Sequence, residues 1–122
     1  MIGRFVVLEH HWDGVHWDFM LERDGVLKTW AVDEPLARGR DLPARRLPDH
    51  RLAYLDHQGP VSRGRGHVHR LDTGTYESQQ WDDTTVRVRI KGSQLEGEVV
   101  LCRLASARSL ETSWTLRFGN LD

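Results

Sequence analysis

Apolar and polar residues alternate with a period of two along most of the chain, the signature of strands rather than helices. Phe5-Val6-Val7-Leu8 reads as a short buried strand. Asp13-Gly14 and Asp24-Gly25 are turn dipeptides that bracket a second strand from Val15 to Glu22, and a third runs from Val26 to Val32. The stretch from Asp33 to Asp49 carries Pro35, Pro43 and Pro48 among many Arg and Asp and reads as a long loop. Arg51 to Asp56 is a strand or a short helix. His67–Leu71 and Gly74–Glu77 read as strands on either side of an Asp72-Thr73 turn. Thr85–Lys91 alternates apolar with basic residues, so one face packs and the other is wet. Gly92 marks a turn, Leu95–Leu104 and Thr112–Phe118 are two further strands, and Ala105–Arg108 is a loop. About seven to nine short strands separated by turns predict an all-β domain, a small barrel or a sandwich.

The 122 residues suit one domain over 1–122, long enough to carry its own core. A single cysteine, Cys102, excludes an internal disulfide framework and fits a reducing compartment. It lies in the apolar run Val99-Val100-Leu101, so it reads as a buried inert thiol. No apolar run approaches the roughly 20 residues that span a bilayer, and the N-terminus enters a strand pattern at once without a signal-peptide core. A cytoplasmic location with no membrane association is expected. The net charge of −1 excludes a global basic field of the kind that coats nucleic acid, but not a local grip on one phosphate. Arginine suits such a grip, and it clusters at Arg38, Arg40, Arg45, Arg46 and Arg51, and again at Arg63, Arg65 and Arg70.

The chemistry concentrates in His10-His11-Trp12-Asp13-Gly14-Val15-His16-Trp17-Asp18-Phe19-Met20-Leu21-Glu22. On a strand, Val15, Trp17, Phe19 and Leu21 fill a core face, while His16, Asp18, Met20 and Glu22 line the other. The Asp13-Gly14 turn folds His10 or His11 back toward His16 and Asp18. Two imidazoles and one carboxylate on a rigid face suit a divalent transition metal. Nitrogen and oxygen donors without thiolate point to Mn²⁺ or Zn²⁺ and away from a zinc finger. His57, His67 and His69 offer a rival cluster on the same logic.

These residues also carry a family resemblance. Phe5-Val6-Val7 with His10, then His16-Trp17-Asp18-Phe19 and Leu21-Glu22, resembles the opening motif of the 3′-phosphoesterase domain of bacterial and archaeal DNA ligase D. Gly25–Val32, Asp49-His50 with Leu52, Tyr54, Gly59 and Val61, Gly74–Glu77, and the ending around Leu95–Gly97, Arg103-Leu104 and Trp114–Leu116 follow in the family's order. The resemblance implies a small closed or partly open β-barrel with one or two short helices. It implies a hydrolase that uses Mn²⁺ to remove a 3′-terminal ribonucleoside and then the 3′-phosphate from a DNA primer–template, leaving the 3′-hydroxyl needed in end-joining repair. His10, His16 and Asp18 match the family's metal-binding positions. His50 matches a histidine that contacts the scissile phosphate, as hydrogen-bond donor or as acid, and Tyr54 a tyrosine of the same site. A monomer is expected, with a ligase or polymerase as partner in trans.

Two positions depart from the family. Its strand reads His-x-Asp-x-Arg, and Met20 stands where the arginine would clamp the phosphate. Its acidic, glycine-rich loop is replaced by the basic Ser62-Arg63-Gly64-Arg65-Gly66, from which Arg63 or Arg65 could supply the missing contact. Two other readings follow: a non-catalytic relative that binds metal and a phosphate ligand or partner protein, or a purely structural domain. Metal affinity separates the latter from the others, and turnover separates enzyme from non-catalytic relative.

Overall fold

The computed structural model describes residues 2–104 and 113–119. Among them are nine strands: β1 (Ile2–His11), β2 (Val15–Arg23), β3 (Val26–Val32), β4 (Asp41–His50), β5 (Gly59–Pro60), β6 (His67–Trp81), β7 (Thr85–Gly92), β8 (Glu96–Arg103) and β9 (Ser113–Phe118). A single 3₁₀ turn, Leu52–Leu55, precedes β5. All pairings between strands are antiparallel, in the order β1-β2-β3-β4-β9-β8-β7-β6, and β6 returns to pair with β1. An eight-stranded barrel closes in this way, with β5 added beside the first residues of β6. Closure leaves the eight strands without an open edge.

The barrel interior is filled by alternate side chains, among them Phe5, Val7, Phe19, Leu21, Trp30, Leu42, Tyr76, Ile90, Leu101 and Leu116. A second apolar cluster lies on the outer face of β1, β2, β3 and β6: Val6, Leu8, Met20, Leu27 and Val68, with Leu55 and Val61 packed on them. Leu55 and Val61 belong to the strap 51–66 that crosses this outer wall. Two cores explain the unbroken apolar run in β1, where Phe5 and Val7 point inward and Val6 and Leu8 point under the strap. Trp17, Phe19 and Leu21 pack on the inner side as expected. Val15, at the end of β2, is instead 40% exposed, because it lies beside the turn and beyond the barrel's packed interior.

Two expectations are corrected. Asp41–His50 is a strand, not part of a long loop. Leu42 and Ala44 alternate into the core. Pro43 lies past the end of β3, which pairs only as far as Ala44, and Pro48 falls in an irregularity opposite Lys28, so neither breaks a ladder that β3 needs. Arg51–Asp56 resolves to the 3₁₀ turn. Asp72-Thr73 is no turn but lies within the continuous β6, next to a bulge at Leu71. The predicted loop at 105–108 lies outside the described residues.

Asp72 looks like a turn residue because it serves a turn elsewhere. Buried at the bulge, its carboxylate accepts the N–H groups of Thr73 and Ser93 on Oδ1 and of Gln94 and Leu95 on Oδ2. It thereby fixes the β7–β8 connection. Asp72→Ala orphans these four donors, and we expect a loss of about 3 kcal/mol or more in unfolding free energy. Chemical denaturation measures this directly, and a loss below about 1 kcal/mol would reduce Asp72 to an incidental contact.

A candidate metal centre on the outer wall

The β1–β2 hairpin builds the centre. Asp13 and Gly14 take the positive φ values of 52° and 105° that its tight turn needs. The resulting register sets His10 directly opposite His16, with ring centroids 4.8 Å apart. Asp18, two residues on from His16, lies on the same face. One nitrogen from each histidine and one oxygen from Asp18 lie within 4.8 Å of one another. Among the described residues no other group of His, Cys, Asp and Glu converges in this way. His11 bonds to Glu9 (2.6 Å) and stacks on His67, and His57 Nε2 donates to the Pro60 carbonyl. His69 joins neither, so the rival histidine cluster does not assemble.

Hydrogen bonding orients the donors. His10 Nε2 lies 2.8 Å from the carbonyl oxygen of Arg65. A carbonyl only accepts, so Nε2 donates and Nδ1 is the nitrogen turned inward, 3.8 Å from Asp18 Oδ2. His16 Nε2 is 3.1 Å from Asp18 Oδ1, yet Oδ1 is buried and accepts no hydrogen bond. The approach is close in distance but lacks hydrogen-bonding alignment. Two imidazole nitrogens close to one carboxylate, with no hydrogen bond to its buried Oδ1, leave a place suited to a cation between them. His10, His16 and Asp18 thus fit a divalent metal by chemistry and by convergence.

The strap is fastened to this hairpin. Val61 N–H donates to the Gly66 carbonyl (2.8 Å), which closes the basic loop and presents the Arg65 carbonyl to His10. Gly66 has φ 73°, and a Cβ there would overlap the His11 carbonyl oxygen and lie 2.9 Å from Trp12 Cβ. Only glycine permits so close an approach of loop to hairpin.

A cleft of about 530 Å³ opens over the triad, walled by His10, His16 and Asp18 together with His50, Tyr54 and Met20. His50 ends β4. Its Nδ1 lies 2.9 Å from the Pro48 carbonyl and 3.1 Å from Thr29 Oγ1. Thr29 gives its own proton to the Leu27 carbonyl, so it can only accept from His50. Nδ1 therefore carries hydrogen, and Nε2 is the nitrogen left for the cleft. Tyr54, on the 3₁₀ turn, meets His50 edge-on at 5.7 Å and His57 at 5.5 Å. It packs on the outer cluster, not inside the barrel.

The cations divide unequally. Arg65 lines the cleft, but its guanidinium turns back on Ser62, to the carbonyl (3.0 Å) and the hydroxyl (3.3 Å). Arg63 is exposed and is not part of the cleft wall. Arg45 lines the cleft while bound to Asp33. Arg51 also lines it, without a polar partner among the described residues. Lys28 and Arg46 are held by Asp49 (3.0 and 3.1 Å). Burial pushes the Asp49 carboxyl up, but these hydrogen bonds outweigh it and hold the group below the usual carboxylate range. Thr29, Gly66 and Trp12 escaped the sequence reading as parts of the site, whereas Arg51 is among the arginines read there as suited to a phosphate. Trp12 alone carried a signal, as a large aromatic in a polar turn beside His10.

Comparison with known proteins gives the chain's family. A sequence profile described as the DNA ligase D 3′-phosphoesterase domain matches residues 8–103. The multifunctional non-homologous end joining protein LigD of Mycobacterium bovis is 36% identical over 115 residues, covering 87% of this chain and 15% of the relative. The proteins of the same name from Mycolicibacterium smegmatis and Pseudomonas aeruginosa are 31% and 28% identical, covering 80% and 88% of the chain. The chain thus corresponds to a small part of each of these relatives, 15% or 16% of their length. It belongs to the DNA ligase D 3′-phosphoesterase domain family.

Proposed function

We propose that this protein is a metal-dependent 3′-phosphoesterase that trims 3′-ribonucleoside or 3′-phosphate ends of DNA to a 3′-hydroxyl in end-joining repair. The observation that carries this reading is the convergence of His10, His16 and Asp18, with the buried Asp18 Oδ1 unsatisfied, in one cleft with His50. Membership of the family supports phosphoester chemistry, and the relatives' end-joining names support DNA ends as the substrate. No helix among the described residues is long and apolar enough to cross a membrane.

The hairpin and the strap would hold the cation, with Mn²⁺ or Zn²⁺ suited to the nitrogen and oxygen donors. Such an ion supplies Lewis-acid polarisation of a phosphate oxygen. His50 has its Nδ1–H anchored, so as an imidazolium it presents Nε2–H to a phosphate oxygen or to the leaving oxygen, which departs with that proton. Thr29 and Pro48 fix the ring for this task. Tyr54 closes the cleft beside it.

A second reading has one specific observation behind it. Met20 is buried in the cleft wall and offers no donor or charge at the position where the resemblance implies an arginine, which favours a relative that binds metal and phosphate without turnover. A 5′-labelled primer–template ending in a 3′-ribonucleotide or a 3′-phosphate decides between them. We expect trimming to the 3′-hydroxyl with Mn²⁺ and none with chelator. Protein that binds Mn²⁺ but leaves both ends intact at high concentration is the non-catalytic relative.

A further inference from the structure

Trp12 is 50% exposed, an unfavourable position for the largest apolar side chain unless something covers it. It stands in the wall of the cleft, beside the triad. Its ring lies nearly parallel to His10 (21°, centroids 6.3 Å apart). The segment beneath it is fixed: Trp12 N–H donates to the Gly14 carbonyl (3.0 Å), and Gly66 lies close enough that an added Cβ would come within 2.9 Å of Trp12 Cβ. The indole is therefore a rigid, open aromatic face next to the candidate metal centre. Such a face beside a phosphate site takes a planar heteroaromatic ring, and stacking of this kind tolerates every base.

The rest of the cleft suggests which base. Beyond Tyr54 a second hollow of about 320 Å³ shares Arg51, Tyr54 and Val61 with the main cleft and adds His57, Pro60 and Ser62. It suits a strand that continues away from the scissile phosphate, with Arg51 available to its backbone. Trp12 takes no part in that hollow; it flanks His10 on the hairpin side.

Resting on the reading of the cleft as a 3′-end site, we propose that Trp12 is the stacking platform for the base of the 3′-terminal nucleoside, the group released in the first cleavage. The terminal base lies on the indole, its phosphate lies at the triad, and the body of the strand runs past Tyr54. Trp12 then decides how well a nucleoside-ended strand competes with one that ends in phosphate alone.

Two arms test this. In the first, Trp12→Ala and Trp12→Phe are assayed on a 3′-ribonucleoside end and on a 3′-phosphate end. We expect the ratio of nucleoside release to phosphate release to fall about 10-fold or more in the alanine variant, mostly through KM, and to recover in the phenylalanine variant. An unchanged ratio overturns the proposal, including the case in which both activities fall together through His10. The second arm needs no turnover. Fluorescence anisotropy in chelator compares a labelled oligomer ending in a ribonucleoside with one ending in an abasic ribose. Wild-type protein should prefer the base by about 10-fold, and Trp12→Ala should lose that preference. Wild-type protein that binds with the preference but never cleaves leaves Trp12 in place and sinks the catalytic reading instead. Equal affinity for both oligomers overturns the role of Trp12.

Discussion

Asp18→Asn will abolish metal-dependent trimming and yet leave the metal-free protein more stable. The two effects share one cause. Asp18 is 2% exposed, and its Oδ1 accepts no hydrogen bond although His16 Nε2 is 3.1 Å away. A buried acceptor left unsatisfied costs roughly 1–3 kcal/mol. An asparagine amide at this position can donate to the imidazole lone pairs, so the unfolding free energy of metal-free protein should rise by about 1 kcal/mol. The same change removes the only negative charge among the three converging donors. Loss of a partner that merely orients a ligand weakens metal binding by about 10–100-fold, so loss of the ligand charge itself should exceed about 100-fold. Thermal unfolding with and without Mn²⁺ reads both effects at once. Wild-type protein gains about 2.7 kcal/mol at a metal concentration of 100 Kd, and the variant at most about 0.4 kcal/mol. If Mn²⁺ stabilises the variant as it does wild type, the ion binds elsewhere and the triad is a hydrogen-bonding cluster.

Much of this centre was legible because hairpin geometry is local. The turn signal Asp13-Gly14, the period of two and the His-x-Asp spacing suffice to place His16 and Asp18 on one face and to fold a histidine of β1 onto them. Periodicity could not choose between His10 and His11. The register does, by pairing His10 with His16 and His11 with Val15. The barrel was legible for a similar reason, since the strands other than β4 and β5 carry an apolar run or an alternation that declares them, although β6 reads as two.

What escaped depends on long-range contacts. β4 hides behind three prolines in the segment that reads as a loop: Pro35 precedes the strand, and Pro43 and Pro48 sit where β3 has ended or bulges. The face of β2 that carries the triad reads as wet from its His, Asp and Glu. In fact its Met20 belongs to a second core that exists only once residues 51–66 cross the outer wall. That strap has no periodic pattern of its own, so nothing in its composition says that Arg65 lends a carbonyl to His10 or that Gly66 must touch the hairpin. Thr29 is equally silent. It looks like one more β-branched strand residue, and only the bulge in β4 brings His50 over it.

Met20→Arg should raise the rate of phosphate cleavage by about 10²–10³, the value of one preorganised donor to a developing oxyanion. Met20 projects from the same face of β2 as His16 and Asp18, two residues beyond the carboxylate. It is 1% exposed, and its side chain both joins the outer core and reaches the cleft wall. An arginine there can run its aliphatic stem along Val6, Leu8 and Leu55 and bring the guanidinium out beside the triad. The longer side chain strains a filled cluster, for which about 1–3 kcal/mol of stability is lost. The large gain is expected because the cations at the cleft are mostly committed, Arg65 to Ser62 and Arg45 to Asp33, while Lys28 and Arg46, outside its wall, are held by Asp49. Arg51 is the exception. Single-turnover rates on a 3′-phosphate end, beside Arg51→Ala, separate the possibilities. A flat response to Met20→Arg, with a large loss in Arg51→Ala, would mean that Arg51 had taken over the clamp. A rise in Met20→Arg with little change in Arg51→Ala would mean that the wild-type cleft works without one.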